Sequence, residues 1–248
     1  MSYCIPGLCR LHAWRRRQEF VLGPFAWLVN PFVFARRGLW RELRPLLAEL
    51  SGEVLDVGCG RKPYRAFVPA ERYIGLDIDL PATRALGVAD VLYDGRRFPL
   101  PDASFDAVLC SQVFEHVFNP EEFLGEIRRV LRPHGRLILT VPFVWDEHEQ
   151  PHDFARYSSF GLKALLEHNG FEVEVQRRSV ADSRVLFQLA AAYVYKVTET
   201  RSKWLRLFVQ LTLIAPITLA GVVLGCVLPG NPDLYLDNIV VAHRASLP

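Results

Sequence analysis

Paired cysteines are missing from this 248-residue chain. Five cysteines are present, an odd number, and Cys4 and Cys9 do not form a C-x-x-C pair. A disulfide framework and a cysteine-held metal near the N-terminus are therefore both disfavoured. Cys59 and Cys110 lie beside expected strand ends, where small apolar side chains pack well. Free thiols fit a reducing compartment. Acidic residues are scarce in residues 1–44. Only Glu19 and Glu42 stand there against eight arginines, at positions 10, 15, 16, 17, 36, 37, 41 and 44. The net charge of +2 hides this asymmetry, and the remainder is net acidic. No RNA- or DNA-binding motif accompanies the basic end, so an anionic membrane surface suits it better than nucleic acid.

Two further absences matter more. Charge is missing altogether from Leu207 to Leu228, a run of 22 residues. As a helix that run measures about 33 Å, enough to cross a bilayer core. A third glycine is missing as well. Gly58 and Gly60 fit the first two positions of G-x-G-x-x-G, but Pro63 occupies the third. A dinucleotide pyrophosphate needs all three. Asp56, two residues ahead of the turn, would repel a pyrophosphate and attract an ammonium or a sulfonium. Both points argue against a nicotinamide-dependent oxidoreductase.

What is there reads as an α/β domain. Strands are expected near 53–57, 73–77, 90–93, 105–110, 136–141, 171–177 and 235–243. Helices are expected near 62–68, 120–131 and 159–169. Asn119-Pro120-Glu121-Glu122 opens one helix with a cap, a proline at the first position and acids in the first turn. Asn169-Gly170 closes another. Glu53 to Gly60 is a buried strand breaking into a glycine turn, and Tyr73 to Asp77 is a strand ending on a carboxylate. Half of the residues are hydrophobic, high for a soluble enzyme and too low for a polytopic membrane protein.

Val54 to Gly60 resembles the glycine motif of class I S-adenosylmethionine-dependent methyltransferases. Three more segments follow at that family's spacing. They are Tyr93-Asp94-Gly95 with Phe98 to Asp106, Ser111 to His116, and Leu131-Arg132-Pro133-His134-Gly135-Arg136-Leu137. The chain is thus similar to methyltransferase type 11-like bacterial enzymes of the kind associated with cell-surface glycan and lipid synthesis. The resemblance covers about residues 50 to 180 and the last strand. It implies a Rossmann-like, seven-stranded, mostly parallel sheet with helices on both faces and an antiparallel last strand. It implies S-adenosylmethionine as cofactor, held by Asp56, Gly58, Cys59, Gly60, Asp77, Ile78, Asp94, Gly95, Ser111 and Gln112. Asp77 falls where the family grips the ribose hydroxyls, and Asp94 where it holds the adenine amino group. Arg61-Lys62-Pro63 departs from the family, and either Arg61 or Lys62 is placed to pair with the methionine carboxylate. His134 stands where the family has a glycine.

Pro151 to Ser158 resembles the P-H-D-x-x-R-Y/F-T segment of the same bacterial enzymes. The catalytic candidates are His152 as general base, Asp153 orienting it, Arg156 for an anionic group on the acceptor, and His116 lining the acceptor pocket. The bland alternative for Asp153 and Arg156 is a structural ion pair. Some O-methyltransferases bind a divalent metal through E-x-x-E-H. Here Gln112 replaces the first glutamate, a weaker ligand, and no metal site is expected. His148, between Glu147 and Glu149, reads as a solvated loop residue.

Three regions are expected: a basic and aromatic extension over 1–50, the cofactor domain over 51–182 and 231–248, and an apolar helical insert over 183–230. Pro24, Asn30 and Pro31 interrupt the apolar run at 20–35, against a cleaved leader. Trp14, Trp27 and Trp40 beside arginines suit a membrane interface, or else a helix covering the sheet. In the family it resembles, the strands flanking the insert pair as a hairpin, which implies that the insert crosses a bilayer an even number of times. Val185 to Tyr195 is too short to supply the second crossing. A re-entrant or in-plane helical pair bent at Pro216 is expected, rather than a simple span, with a helical cap packed against residues 20–35 as the alternative. The function read from these features is O-methylation of a small-molecule, glycan or lipid-linked acceptor at the cytoplasmic face of the membrane. A non-catalytic membrane-associated scaffold is the alternative, ahead of the oxidoreductase.

Overall fold

The computed structural model describes residues 26–245. Trp14, Cys4, Cys9, the arginines at 10 and 15–17, and the apolar residues at 20–25 lie outside them. The described residues form two compact units.

The first unit takes in 41–179 and the chain from 236 onward. It is a single seven-stranded sheet. The strands are β1 (Glu53–Val57), β2 (Arg72–Ile78), β3 (Val91–Tyr93), β4 (Phe105–Ser111), β5 (Leu131–Pro142), β6 (Phe171–Arg178) and β7 (Asp237–Arg244). Their order is β3-β2-β1-β4-β5-β7-β6. Pairs among β1 to β5 are parallel, and β7 runs antiparallel to both β5 and β6. Helices lie on both faces, as the resemblance implied. The apolar strands explain this. Val54, Leu55, Val57, Val108, Leu109, Leu137, Ile138 and Leu139 are all fully buried, as central parallel strands must be when both faces are covered. The chain order reverses between β1 and β4, and ligands of open α/β sheets bind at the carboxyl ends of strands beside such a reversal.

The helix over Pro120–Val130 buries Phe123, Leu124, Ile127 and Val130 against the sheet. Asn119 does not cap it through its side chain. Its amide donates to Glu122 Oε2 at 3.2 Å instead. Ser158 does cap the helix over Ser159–His168, accepting from the Gly161 amide. The helix expected near 62–68 is only a single 3-10 turn, Arg65–Phe67. Lys62 takes a left-handed φ of 52° and Pro63 follows it, so the chain turns where a helix would need to begin. β5 begins earlier than expected, at Leu131, with His134 at φ 59° in the family's glycine position.

The family-like segment from Phe98 to Asp106 is held by two arginines. Arg129 donates to Glu126 (2.6 and 2.8 Å), to Asp102 (2.6 Å) and to the carbonyls of Phe98 and Leu100 (3.0 and 2.8 Å). Arg132 pairs with Asp106 at 2.5 Å, and Asp106 also accepts from the Glu53 amide at 2.8 Å. This motif is therefore scaffolding for the loop that carries Asp94.

The second unit takes in 26–40 and 180–235. It holds helices at Ala26–Val29, Arg184–Val197, Lys203–Val209 and Ala215–Leu224, with a π-helical turn over Gln210–Ile214. Trp204–Leu224 forms one 21-residue apolar helix, whose most apolar 18-residue stretch is 33% buried. Gln188 is fully buried, accepting from the Ala35 amide (3.1 Å) and donating to the Pro31 carbonyl (2.8 Å). Gln210 donates to the Leu28 carbonyl at 3.0 Å. Two buried glutamines thus satisfy backbone that would otherwise be orphaned among apolar helices. The wide-set turn lies ahead of Pro216, whose missing amide and bulky ring account for the departure from α-helical bonding.

Candidate active site

The glycine turn after β1 folds back on β2. The Gly58 and Cys59 amides both donate to the Leu76 carbonyl, at 2.9 and 3.1 Å. Gly58 sits at φ +69°, and a Cβ there would lie 2.2 Å from Val113 Cγ2. Only glycine fits. Gly60, at φ +49°, donates to Asp77 Oδ2 at 2.9 Å, while the Ile78 amide donates to Oδ1 at 2.8 Å. An ionised carboxylate has about four acceptor sites, so each oxygen keeps one for a further donor. Gly60 has open space where a side chain would stand. These features fit a nucleoside: a clear backbone surface beside a carboxylate able to take a ribose diol. Asp94, exposed at the end of β3, is fixed by accepting from the Arg96 and Arg97 amides at 2.9 and 3.3 Å, with Gly95 between at φ +84°. At the end of β4, Ser111 and Gln112 both reach Thr140 Oγ1, at 2.9 and 3.2 Å.

Two expectations for the donor site change. Lys62 pairs with Asp90 at 2.5 Å, and Asp90 also accepts from the Gly75 amide at 2.7 Å. Its charge is therefore engaged within the turn, which removes it as a ready partner for a carboxylate. Asp56 is buried and accepts from the Tyr73 hydroxyl at 2.6 Å. Burial pushes its carboxyl up to about 7, against that hydrogen bond and the Lys62 charge. The permanent negative charge inferred from sequence is instead close to balance between its two forms near neutrality. Burial likewise pushes the Cys59 thiol up to about 12, so it packs rather than reacts. The glycine turn leads into no α-helix, so the helix N-terminus that a pyrophosphate requires is absent there.

The acceptor-side residues regroup. His152 is exposed, and Asp153 does not orient it. Asp153 instead holds Arg156 at 2.6 and 2.7 Å and lies 3.2 Å from His148 Nδ1. It also accepts from the His148 amide. The Arg156 guanidinium keeps the Asp153 carboxyl well below the usual range. His152 contributes its carbonyl, which accepts from His116 Nδ1 at 2.6 Å. His116 and His148 meet edge to face, ring centroids 4.8 Å apart. Between them lies Glu115, fully buried, with no well-formed hydrogen bond to either oxygen. Burial pushes its carboxyl up to about 8. Glu115, His116 and His148 thus form a group of possible metal ligands within 4.8 Å, where none was expected. The flanking glutamates hid His148 in the sequence. Asp237, buried and raised to about 6 by burial, completes this region with Ser179 and Gln112 as partners. Its place on β7, far along the chain, left no sequence signal.

Comparison with known proteins agrees with this geometry. Residues 55–139 match the family model described as a methyltransferase domain. A probable S-adenosylmethionine-dependent methyltransferase of Mycolicibacterium smegmatis is 33% identical over 184 residues, covering 68% of this chain and 63% of that protein. The demethylmenaquinone methyltransferase of Deinococcus radiodurans is 35% identical over 106 residues, covering 38% of this chain and 44% of its own. The chain therefore spans less than two thirds of the length of these relatives. Among solved structures, the putative methyltransferase bound to the Haloferax volcanii Trm112 activator shares the fold, with a TM-score of 0.54 at 20% identity, over 96% of this chain and 97% of that one. The matched residues are those that carry β1 to β5 and the glycine turn. Residues 55–139 thus match a methyltransferase domain, and S-adenosylmethionine is the cofactor that this match indicates.

Proposed function

We propose that this protein transfers a methyl group from S-adenosylmethionine to a hydroxyl of a lipid-linked sugar, glycan precursor or lipid-like acceptor, at the cytoplasmic face of the membrane. The observation that carries the membrane part is the Trp204–Leu224 helix, placed in the chain between β6 and β7 and two-thirds unburied despite a mean hydropathy of 2.2. Trp204, Phe208 and Val223 are each more than 60% exposed, an apolar surface beyond what a soluble domain ordinarily leaves open.

β6 and β7 pair directly, so both ends of the insert lie on one side of any bilayer. The other long helix of the insert, Arg184–Val197, has 14 residues, about 21 Å, too short to return across. An in-plane or re-entrant seat fits both facts. Asp77, Gly60 and Asp94 would hold the nucleoside, and Ser111 and Gln112 would face its methionine end. The acceptor would enter beside Glu115 and His116. Phe118 and Phe154, exposed and in edge contact at 5.3 Å, supply an apolar rim for it. Methyl transfer would be an in-line displacement at the methyl carbon, the acceptor oxygen forming the new C–O bond as the C–S bond breaks and the sulfur leaves as a thioether; the protein would chiefly align donor and acceptor, and the hydroxyl proton would be released at the Glu115 cluster.

The test uses S-adenosylmethionine labelled on its methyl group, incubated with the protein, native membranes and cytosol. Label in the organic phase is expected. Label confined to a soluble product would overturn the lipid-type acceptor, and absence of donor binding would overturn the reaction.

A further inference from the structure

Glu115, His116 and His148 turn three electron-pair donors toward one point. His116 Nε2 lies 3.8 Å from Glu115 Oε1, and His148 Nε2 lies 3.9 Å from the same oxygen. The outer nitrogen of each ring settles which tautomer is present. His116 Nδ1 is 2.6 Å from the His152 carbonyl. A carbonyl only accepts, so Nδ1 carries the hydrogen and Nε2 points a lone pair inward. His148 Nδ1 lies 3.2 Å from Asp153 Oδ2 and 3.3 Å from the Asp146 carbonyl, again two acceptors. The Arg156 guanidinium, 3.4 Å away, is engaged by those same two groups. Both Nε2 lone pairs therefore face a carboxylate that is fully buried and has no well-formed hydrogen bond to either oxygen. A single carboxyl proton serves only one of these facing lone pairs at a time, whereas a divalent cation serves all three.

We infer that Glu115, His116 and His148 bind one divalent metal ion of borderline softness, such as zinc, manganese or iron(II). Two imidazoles and one carboxylate match such ions, and the imidazoles disfavour magnesium and calcium. Metal bonds of about 2.0–2.2 Å require ligand atoms roughly 3.0–3.5 Å apart. The two Glu115–histidine separations exceed that by a few tenths of an ångström, while the set as a whole spans up to 4.8 Å, so rotation of the His116 and His148 rings must draw the ligands together on binding. The outer partners are those of a built site. A metal-binding histidine commonly gives its other N–H to a carboxylate or a backbone carbonyl, as His148 does to Asp153 and His116 to His152. Three protein ligands leave open positions, where an acceptor hydroxyl would meet a Lewis acid. Gln112 takes no part, since its side chain donates to Thr140. This inference concerns binding and does not depend on the transfer reaction.

The test is metal binding by the full chain after chelator treatment, with zinc chloride and manganese chloride as probes. Calorimetry should find one site per chain, and each metal should raise Tm. Glu115→Gln and His148→Gln should each weaken that binding at least tenfold. His148 is partly exposed, so His148→Gln is expected to fold, and its circular dichroism and donor binding should match wild type. Cobalt(II) substitution should give visible absorption that His148→Gln abolishes. No binding below about 100 μM, or binding unchanged in both variants, would overturn the site.

Discussion

The Gly60 amide donates to Asp77 Oδ2 at 2.9 Å, which joins the turn after β1 to the acidic end of β2. The same carboxylate therefore shapes the turn and faces the space above Gly60. Replacing it removes both roles. Asp77→Ala is expected to weaken S-adenosylmethionine binding by about ten- to a hundredfold, as hydrogen bonds to a charged group are worth about 1.5–3 kcal/mol. Calorimetry with S-adenosylmethionine measures this, and an unchanged affinity would remove Asp77 from the site.

Gly58→Ala tests the close approach to Val113. Both Val113 methyls and its Cβ lie within 3.1 Å of the added atom, so no Val113 rotamer clears it. A loss of about 2–4 kcal/mol in stability is expected. Adding Val113→Ala should restore part of it, leaving the cost of the left-handed backbone. Thermal melts of the single and double variants separate the two.

Asp56 sets a pH dependence of stability. Its folded value of about 7 lies above the ordinary 3.8, so the folded state holds this proton more tightly. Stability should fall as pH rises from about 4 to 7 and then level off. Asp56→Asn should flatten that slope, the difference reaching a few kcal/mol at most. Urea unfolding of both proteins at pH 5, 6 and 7.5 measures it. A constant difference across that range would show that Asp56 is ionised throughout in the folded protein.

Much of this architecture could be read along the chain. β1, β2 and β4 were legible because each is a short apolar run ended by glycine or a polar turn. What escaped depended on residues distant in sequence. Lys62 looked free until Asp90 and Gly75 were seen beside it. Asp56 looked like a standing charge because Tyr73, 17 positions on, was not known to reach it. His148 looked solvated because Glu147 and Glu149 flank it, and only the fold sets its inner nitrogen against Glu115. His152 carried the motif, yet its backbone rather than its ring takes part. Local patterns reveal strands and turns; they do not reveal which loop side chains converge.

Arg129, on the Pro120–Val130 helix and braced there by Glu126, ties that helix to the loop after Asp94 through three hydrogen bonds, to Asp102 and to the carbonyls of Phe98 and Leu100. Arg129→Ala should cost on the order of 2 kcal/mol in stability. It should also weaken donor binding, because Asp94 loses its support. Hydrogen exchange should speed up first in residues 94–104. Equal acceleration across the whole sheet would mean that the arginine acts only on global stability.

Replacing residues 184–229 by a short turn should release the protein from membranes and leave donor binding within about twofold. Flotation on a density gradient reads the first and calorimetry the second. A shortened protein that still floats would place the anchor outside the insert.

β7 bonds to β5 on one side and to β6 on the other, yet the chain makes it after the insert. During synthesis, six strands and the apolar Trp204–Leu224 helix therefore leave the ribosome while a strand-wide slot stands open in the sheet. Two rows of backbone amides and carbonyls wait there for Asp237–Arg244. Ribosome-stalled chains ending before Asp237 should accordingly recruit chaperones, and chains extended past Arg244 should not. The eight-residue β7 acts as the keystone of the sheet, and a frameshift or protease cut just ahead of it would undo two strand ladders at once.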